Sequence, residues 1–500
     1  TATAYVTPDL TATLFSARLT PSPTATAFVP RETPQPGFTA TPTAAAAVMP
    51  GAPLAFVRDQ RVHWIAPNGL IYPVSDPAYT TSAPLVSPDN RLVAYHEYHG
   101  RITERGVKLK NIVLASTDHS FEPRTLVGDS SDHLLSFSPD GQWLLTQRAE
   151  FKQPAGLFYY GLHIINVITG EDREVFAPLG FPNDPPILPF TPTWSPDSRY
   201  IFFDRRPASG EWPPRLELNV VNIQTGETRL LLDVNRSGTL FFSPDGRELL
   251  VAGPSQLLKF NLDDVYNFSV TATPQLLMSY EPLSEGALPQ LRWAGPQRIF
   301  LALPWQDSER LKLSFMDIST LDGQGTVFAT YADILLRPEF FDGGVGAGEM
   351  YAKDKLHPIW TDDLSRAALN VRVNTGGVAR SDILIMDGLG NNPVELLHNA
   401  RFISWSPDGL YFLFISGSEE NVLQARQSFD LLLGRADNAG DSRLIMSGID
   451  ATVALDTVRW LDGQTYVFNA TVFDGSIGIP HLWRGVIGGS PVMLASGSGN

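Results

Sequence analysis

Two histidines, His96 and His99, stand in the stretch YHEYHGR with Glu97 between them, and these residue types bind metals or move protons. On a helix this spacing could bring both imidazoles to one metal ion. The stretch directly follows the turn-like SPDN at 87–90, however, so a strand is expected here. Residues i and i+3 of a strand point to opposite faces. We therefore expect both histidines to have structural roles.

Two acidic pairs and one glycine-rich stretch are further places where the sequence could support chemistry. Asp362 with Asp363, and Glu419 with Glu420, could act as acid and base, but adjacent strand residues diverge. GGVGAGE at 343–349 lacks the Lys-Ser/Thr pair of a phosphate loop. The absence of cysteine excludes disulfides and thiolate metal sites. We therefore predict that the protein is not an enzyme and uses no cofactor or metal.

Aromatic side chains could form a platform for a sugar or a peptide, because the chain has 10 Trp and 28 Phe. Trp212 and Trp305 lie in the proline-flanked stretches EWPPR and LPWQD, so we predict exposed contacts at these two positions. Most other aromatics fall where a packed core is expected. That group includes Trp194, Trp293, Trp360, Trp405 and Trp460.

The composition is that of a globular protein with an acidic and sparsely charged surface. Of the 500 residues, 43% are hydrophobic and 18% are charged, and the formal net charge is -16. A negative balance disfavours nucleic acid and anionic membrane surfaces as partners. No apolar run approaches the ~18 residues of a membrane-spanning helix, so we predict no membrane insertion. Because the sequence begins with Thr rather than Met, we expect a signal peptide, an anchor or other residues upstream.

A five-residue phrase recurs along the chain after residue 53. The clear copies are VSPDN (86–90), FSPDG (137–141), WSPDS (194–198), FSPDG (242–246) and WSPDG (405–409). Weaker copies are WAGPQ (293–297), WTDDL (360–364) and WLDGQ (460–464). Successive copies are separated by roughly 45 to 67 residues, a period typical of propellers and repeat arrays.

The phrase predicts a tight turn between two strands. Proline presets φ at the second turn position, aspartate accepts hydrogen bonds from nearby backbone amides, and glycine tolerates a positive φ. We assign this structural role to Pro88, Asp89, Pro139, Asp140, Gly141, Pro196, Asp197, Pro244, Asp245, Gly246, Pro407, Asp408 and Gly409.

The strands around each turn predict a four-stranded blade. An apolar strand such as LYFLFI follows the phrase, a third strand ends in a turn such as NVITGE (166–171), and a short strand such as REVFA completes the unit. We predict an all-β protein with a single β-propeller of about eight four-stranded blades (range seven to nine) at 54–495. An extended N-terminal arm at 1–53 precedes it, and a C-terminal tail at 496–500 follows it.

The first blade is predicted to be incomplete. LAFVR (54–58), RVHWI (61–65) and LIYPV (70–74) look like strands two to four of a blade without its first strand. Either one of the weak copies is not a blade, or the first blade takes a strand from elsewhere. The N-terminal arm is one candidate donor.

The repeated x-SPDG-x-apolar unit with its TGE turn resembles the TolB-type, WD-like β-propeller repeat over about residues 54–495. The resemblance implies the propeller fold but not a function, since this repeat occurs in translocation proteins, peptidase caps, lyases and surface proteins. The α/β domain of TolB is replaced here by the Thr/Pro segment, and the G-x-S-x-G elbow of propeller-capped peptidases is absent. Thr/Pro-rich tethers joined to propellers also resemble exported surface proteins of Chloroflexota-type bacteria. This second resemblance implies an extracellular or cell-surface location.

The arm repeats a strand-like phrase three times, as TATAYV from residue 1, TATLFS from residue 11 and TATAFV from residue 24. Each copy has the length of one short strand, favours β structure, and is soon followed by proline. Such segments can add to the exposed edge of a sheet. The predicted interface residues of the arm are Tyr5, Val6, Phe15, Phe28 and Val29.

These patterns favour a structural function. The sequence predicts a subunit whose arm adds strands to a neighbouring propeller, so that other copies of the protein are its partners, in a filament or a surface lattice. The arm could instead complete its own first blade. One alternative is a stalk-displayed propeller that binds a peptide, a protein or a glycan at its central face. Another is a lyase or cyclase, which would need His, Asp or Arg side chains to converge on the inner strands.

Overall fold

The computed structural model of the protein describes residues 51–102, 108–152, 157–182, 190–205, 216–234, 239–253, 255–280, 289–306, 311–319, 327–336, 358–375, 378–392, 394–397, 400–417, 428–450, 458–474 and 477–496. The predicted interface residues of the arm (Tyr5, Val6, Phe15, Phe28 and Val29) lie outside these ranges. So do Trp212, the Glu419–Glu420 pair and the glycine-rich stretch at 343–349.

The predicted all-β propeller is confirmed. The described residues form nine antiparallel sheets, numbered here as blades 1 to 9, and each is a meander in chain order. Nine blades fall within the predicted range of seven to nine. The only helix in the described part of the chain is the single-turn α1 (Leu262–Tyr266), and no described helix is long and apolar enough to cross a membrane.

The chain divides into two compact units. Among the described residues, unit 1 spans 53–234, and unit 2 consists of 51–52 and 239–496. Unit 1 holds blade 1 (β1 Leu54–Arg58, β2 Arg61–Ile65, β3 Ile71–Pro73), blade 2 (β4 Thr80–Val86, β5 Leu92–Ile102, β6 Lys108–Ser116, β7 Arg124–Ser130), blade 3 (β8 His133–Phe137, β9 Trp143–Lys152, β10 Leu157–Asn166, β11 Asp172–Pro182) and blade 4 (β12 Phe190–Trp194, β13 Tyr200–Arg205, β14 Leu216–Asn222, β15 Thr228–Val234).

Unit 2 contains the remaining five blades. They are blade 5 (β16 Thr239–Phe242, β17 Glu248–Ala252, β18 Gln256–Asn261, β19 Gln275–Ser279), blade 6 (β20 Gln290–Gly295, β21 Arg298–Gln306, β22 Leu311–Ser319, β23 Val327–Leu336), blade 7 (β24 Ile359–Trp360, β25 Arg366–Thr375, β26 Val378–Asp387, β27 Val394–Leu397), blade 8 (β28 Ala400–Trp405, β29 Tyr411–Ser416, β30 Ser428–Arg435, β31 Asn438–Asp450) and blade 9 (β32 Arg459–Trp460, β33 Thr465–Asp474, β34 Ile477–Val486, β35 Val492–Ser496).

Blade 1 has three strands among the described residues, as the sequence predicted. β1, β2 and β3 cover the three short apolar runs, and the Asn68-Gly69 turn joins β2 to β3 with Gly69 at φ 83°. No fourth strand pairs with this sheet in the described part of the chain. The donor of a further strand therefore stays a prediction.

The repeated phrase forms the predicted turn, and its serine connects the two strands on either side. In blade 4, Ser195 Oγ donates a hydrogen bond to Asp197 Oδ1 at 2.6 Å and accepts one from the backbone N–H of Tyr200 at 3.0 Å. Asp197 Oδ1 also accepts from the backbone N–H of Arg199 at 3.2 Å. The same serine or threonine bonds occur in five other blades, with hydroxyl–carboxylate distances of 2.5–2.7 Å.

The fourth turn position has a left-handed backbone in each of these six blades. Glycine fills it at Gly141, Gly246 and Gly409, with φ between 66° and 70°. Asn90, Ser198 and Leu364 adopt a similar φ of 59–62° at the matching positions, so the other turn contacts hold this conformation without glycine.

The hydrophobic core lies between adjacent blades. One cluster joins blades 3 and 4 in unit 1, with Tyr160 and Phe203 fully buried. In unit 2 one cluster joins blades 7 and 8, and another joins blades 8 and 9. The phrase tryptophans pack here as predicted, and Trp405 Nε1 donates to the carbonyl of Ile359 in the preceding blade at 2.7 Å. Within each unit, the blades joined by these clusters bury faces that a single sheet would leave exposed.

We predict that Ser195→Ala lowers the free energy of unfolding by roughly 1–3 kcal/mol, because the buried N–H of Tyr200 loses its acceptor. Ser195→Thr is the matched control, since Thr361 makes the same contacts in blade 7. Chemical denaturation of both variants measures the effect. Equal losses for alanine and threonine would contradict a role of the hydroxyl.

Candidate functional site

Most of the described residues that the sequence singled out form turns or strands of the blades and do not converge at one site. The aspartates of the phrase accept backbone hydrogen bonds within their turns, and Asp363 does so in blade 7. Trp305, expected in a loop, lies in strand β21 opposite Lys312. His96 and His99 do not come together at one site, because His99 Nε2 lies 2.7 Å from Asn111 Nδ2 whereas His96 faces blade 3.

A register pattern in unit 1 points to polar side chains that sequence analysis had not combined. The ninth and tenth residues after the turn serine are His96 and Glu97 in blade 2, and Gln147 and Arg148 in blade 3. In blade 8 of unit 2, the ninth and tenth residues after the turn serine are Ile415 and Ser416, which carry no charge. Because the turn fixes the start of each second strand, these polar groups reach the same depth in neighbouring blades.

Three basic side chains, each from a different strand, converge between blades 2 and 3. His96 comes from β5, Lys110 from β6 and His133 from the start of β8. His96 and Lys110 are both 1% exposed, and the His96 and His133 ring centroids lie 6.1 Å apart. Within the described ranges, Lys110 Nζ and His133 Nδ1 are buried without a hydrogen-bond partner. The backbone carbonyl of Asp132 faces the buried ring of His96. We call His96, Lys110 and His133 the basic cluster.

An ion-pair network in blade 3 borders the basic cluster. Arg148 Nε donates to Asp132 Oδ1 at 2.6 Å, and Arg148 Nη2 reaches Asp172 Oδ2 at 2.6 Å. Asp172 Oδ1 also lies 2.9 Å from His163 Nδ1. Asp132 is fully buried and Arg148 is 4% exposed, so these charges are compensated by each other rather than by water.

Burial lowers the pKa values of all three residues of the basic cluster. It lowers the pKa of Lys110 to about 8, and Asp132 opposes this only in part. Burial and the charge of Lys110 lower the pKa of His133 to about 4. The same causes, together with His133, hold the pKa of His96 well below its usual value. Both imidazoles are therefore neutral at pH 7. Lys110 is still mostly protonated at this pH, because its pKa is about 8.

In the neighbouring ion-pair network, the pKa shifts favour the charged forms of the side chains. Burial disfavours the charged form of Asp172, but His163 and Arg148 outweigh it and lower the pKa to about 2. Burial likewise opposes the charge of Arg148, yet Asp132 and Asp172 raise its pKa. Perturbed groups of this kind concentrate at functional sites. The basic cluster with its bordering network is therefore the candidate functional site.

The donor set of the basic cluster does not suit a metal ion. Two imidazoles are available, but the ammonium of Lys110 would repel a cation. Across the described ranges, no group of three or more His, Cys, Asp or Glu side chains is arranged to hold a metal. The cluster offers hydrogen-bond donors instead.

No protein-family model and no curated protein matches the sequence. Among solved structures, a eukaryotic initiation factor covers 89% of this chain and 97% of its own, with a TM-score of 0.55 and 15% identity. This similarity supports the propeller fold alone. The propeller domain of the Trilobed protease from Pyrococcus furiosus matches at a TM-score of 0.37 and 13% identity, covering 72% of this chain and 97% of its own. An oligogalacturonate lyase in complex with manganese matches at 0.32 and 11%, covering 73% and 93%.

The sequence-based prediction that the protein is not an enzyme is contradicted. The solved structures similar to this chain include prolyl endopeptidases, an acylaminoacyl peptidase and the lyase. The prediction had rested on acidic pairs and histidines taken one stretch at a time. Sequence reasoning missed the convergence of Lys110, Asp132, His133 and Arg148. Of these four, only Arg148 carries a signal in the sequence, as a charged residue at a fixed distance from the turn serine.

We predict that acidification from pH 7 to pH 5 destabilises the protein by about 2 kcal/mol for each imidazole whose pKa is held near 4. A lowered pKa in the folded state means that the unfolded chain binds more protons between pH 4 and pH 6.5. Stability is therefore full above pH 6.5 and is lost as the pH falls through this window.

Urea denaturation at pH 7 and pH 5 measures this loss, with His133→Gln as the test variant. The variant should lose less stability on acidification than the wild type. His119→Asn is the control, because His119 is exposed on a turn. Identical pH dependence in His133→Gln and the wild type would show that His133 does not carry the effect.

Proposed function

We propose that the protein is a secreted or surface-displayed assembly subunit, in which residues 1–50 of one copy add strands to the outer blade edges of a neighbouring copy. The observation that carries the proposal is that the outer edges of several blades have no strand paired with them in the described structure. In blades 4, 5, 8 and 9 the last strand pairs on one side only within the described residues. The resemblance of the repeat to TolB-type propellers and of the tether to exported surface proteins supports the extracellular location.

The outer strands carry exposed aliphatic side chains. Leu230 on β15, Leu276 on β19, Leu444 on β31 and Met493 on β35 are between 44% and 53% exposed. A strand with one unpaired edge offers backbone donors and acceptors to a further strand. Aromatic and aliphatic residues on adjacent strands then pack as cross-strand pairs. The aromatic residues of the arm, Tyr5, Phe15 and Phe28, match this requirement.

The chain next to the arm is fastened within unit 2. The backbone N–H of Ala52 donates to Asp462 Oδ2 at 2.9 Å, and Arg484 Nη2 donates to the Ala52 carbonyl at 3.1 Å. A Cβ on Gly51 would lie 2.2 Å from Thr465 Oγ1, so only glycine fits here. The arm therefore starts from a fixed point on blade 9. Fifty residues can extend over roughly 160 Å, which is enough to reach another copy.

Attachment to a neighbour distinguishes assembly from self-completion. An arm that starts at one site and binds a different site on the next copy makes a head-to-tail contact, which continues as a filament or lattice unless it closes. The three strand-like phrases of the arm supply more than one strand, whereas blade 1 has room for one. This surplus favours edges beyond blade 1 as the acceptors.

We predict filaments or sheets in negative-stain electron micrographs of the complete chain, and single particles of a chain shortened to residues 47–500. The shortened chain keeps the contacts of Ala52 with Asp462 and Arg484, so that its propeller is unchanged. A Tyr5→Ser, Phe15→Ser, Phe28→Ser variant is the matched control for arm length, and it should also give single particles. The same assemblies in all three samples, or single particles of the complete chain, would rule out the proposal.

Charge on the outer edges should weaken assembly. We predict that Leu444→Lys with Met493→Lys raises the concentration needed for assembly about tenfold, because a lysine on an edge strand disfavours pairing with another strand. Sedimentation velocity measures this concentration. Ile168→Lys is the control, since Ile168 is 68% exposed but lies in a turn. An equal effect of the control and the edge variant would contradict edge docking.

A further inference from the structure

The basic cluster holds more hydrogen-bond donors than its described surroundings accept. Lys110 Nζ carries three N–H groups, each neutral imidazole carries one, and Gln147 Nε2 on β9 is also buried without a partner in the described ranges. Gln147 lies directly across from His133 in the β8–β9 pair, which places it beside the cluster. Unpaired donors at this depth disfavour the folded state unless something accepts from them.

The nearest acidic group does not meet this demand. Asp132 attracts Lys110, but its carboxylate is bonded to Arg148, with Nε at 2.6 Å from Oδ1. Arg148 is in turn shared with Asp172. The carboxylates of Asp132 and Asp172 therefore accept from the guanidinium of Arg148. Among the residues that the structure describes, no carboxylate lies within hydrogen-bond distance of Lys110 Nζ.

His133 is the most exposed member of the basic cluster. His96 and Lys110 are enclosed between blades 2 and 3, whereas His133, on the edge strand β8, is half-buried. A small anion that approaches beside His133 would be attracted by Lys110, whose charge acts on both imidazoles.

We propose that the basic cluster binds a small oxyanion group, such as a carboxylate, phosphate or sulfate, which accepts hydrogen bonds from Lys110, His133 and Gln147. An anion supplies the acceptors that the cluster lacks and compensates the charge of Lys110. A metal ion would do neither, since the ammonium repels it. The site is independent of the outer edges and of the arm, so its test does not depend on assembly.

Thermal unfolding of the complete chain tests this site. Tm is measured in acetate, phosphate, sulfate and chloride at equal ionic strength, for the wild type, Lys110→Met and Lys259→Met. Lys259 is the matched control, because it is paired with Glu248 at 3.2 Å in blade 5. We expect at least one oxyanion to raise Tm saturably above its value in chloride, an effect lost in Lys110→Met and kept in Lys259→Met. The identity of the effective anion distinguishes a carboxylate site from a phosphate or sulfate site.

Two results would overturn the proposal. One is an equal rise of Tm with every salt, which reports general exclusion of salt from the surface. The other is an unchanged oxyanion response in Lys110→Met, which places the anion elsewhere.

A second measurement on the wild type keeps the proposal testable if Lys110→Met does not fold. The ¹H NMR titration of the histidine rings is recorded with and without the effective oxyanion, and His133→Gln assigns one resonance. Lys110 on β6 and the other imidazole are the titratable groups beside each ring, and the Asp132–Arg148 ion pair lies next to them in blade 3. Bound anion should raise the pKa of His133 by about one unit, which corresponds to tenfold tighter anion binding to the protonated form. An unchanged pKa for both buried imidazoles overturns the proposal.

Discussion

A buried hydroxyl that links two strands is the interaction on which six of the nine described blades depend. The serine or threonine of the repeated phrase donates to an aspartate two residues later and accepts the first amide of the following strand, as Ser195 does with Asp197 and Tyr200. These two hydrogen bonds fix where the second strand begins. Because side chains alternate along a strand, fixing its start also decides which residues enter the core between blades.

The same constraint assembles the candidate site. Once the turn is set, His96 of blade 2 and Gln147 and Arg148 of blade 3 arrive at matching depths, and β8 brings His133 beside them. Enclosing Lys110 costs stability at neutral pH, and enclosing the two imidazoles costs stability in acid, because burial opposes their charged forms. The adjoining Arg148 network recovers part of that cost through paired charges. A cost of this kind at one place in a repeating fold is a reason to assign function to unit 1.

Much of the fold could be predicted from the sequence because its turns are local. Pro139, Asp140 and Gly141 each have a conformational preference that a single sequence exposes, and so does the asparagine-led turn at 166–171. The basic cluster could not be predicted in this way. Lys110 and His133 are 23 residues apart in the sequence and belong to different blades, and only the packing of one blade on the next brings them together. Their burial, which sets their chemistry, is a property of that packing.

The outer edge of each blade is the other consequence of this architecture. The middle strands of each blade pair on both sides. In the described structure, the last strands β15, β19, β31 and β35 pair on one side only. Hydrogen–deuterium exchange of the complete chain, compared with residues 47–500, tests most directly whether the arm covers these edges. The account predicts slower exchange of the outward-facing amides of these four strands when the arm is present, increasingly so at higher protein concentration. Equal exchange in the two chains at every concentration would contradict it.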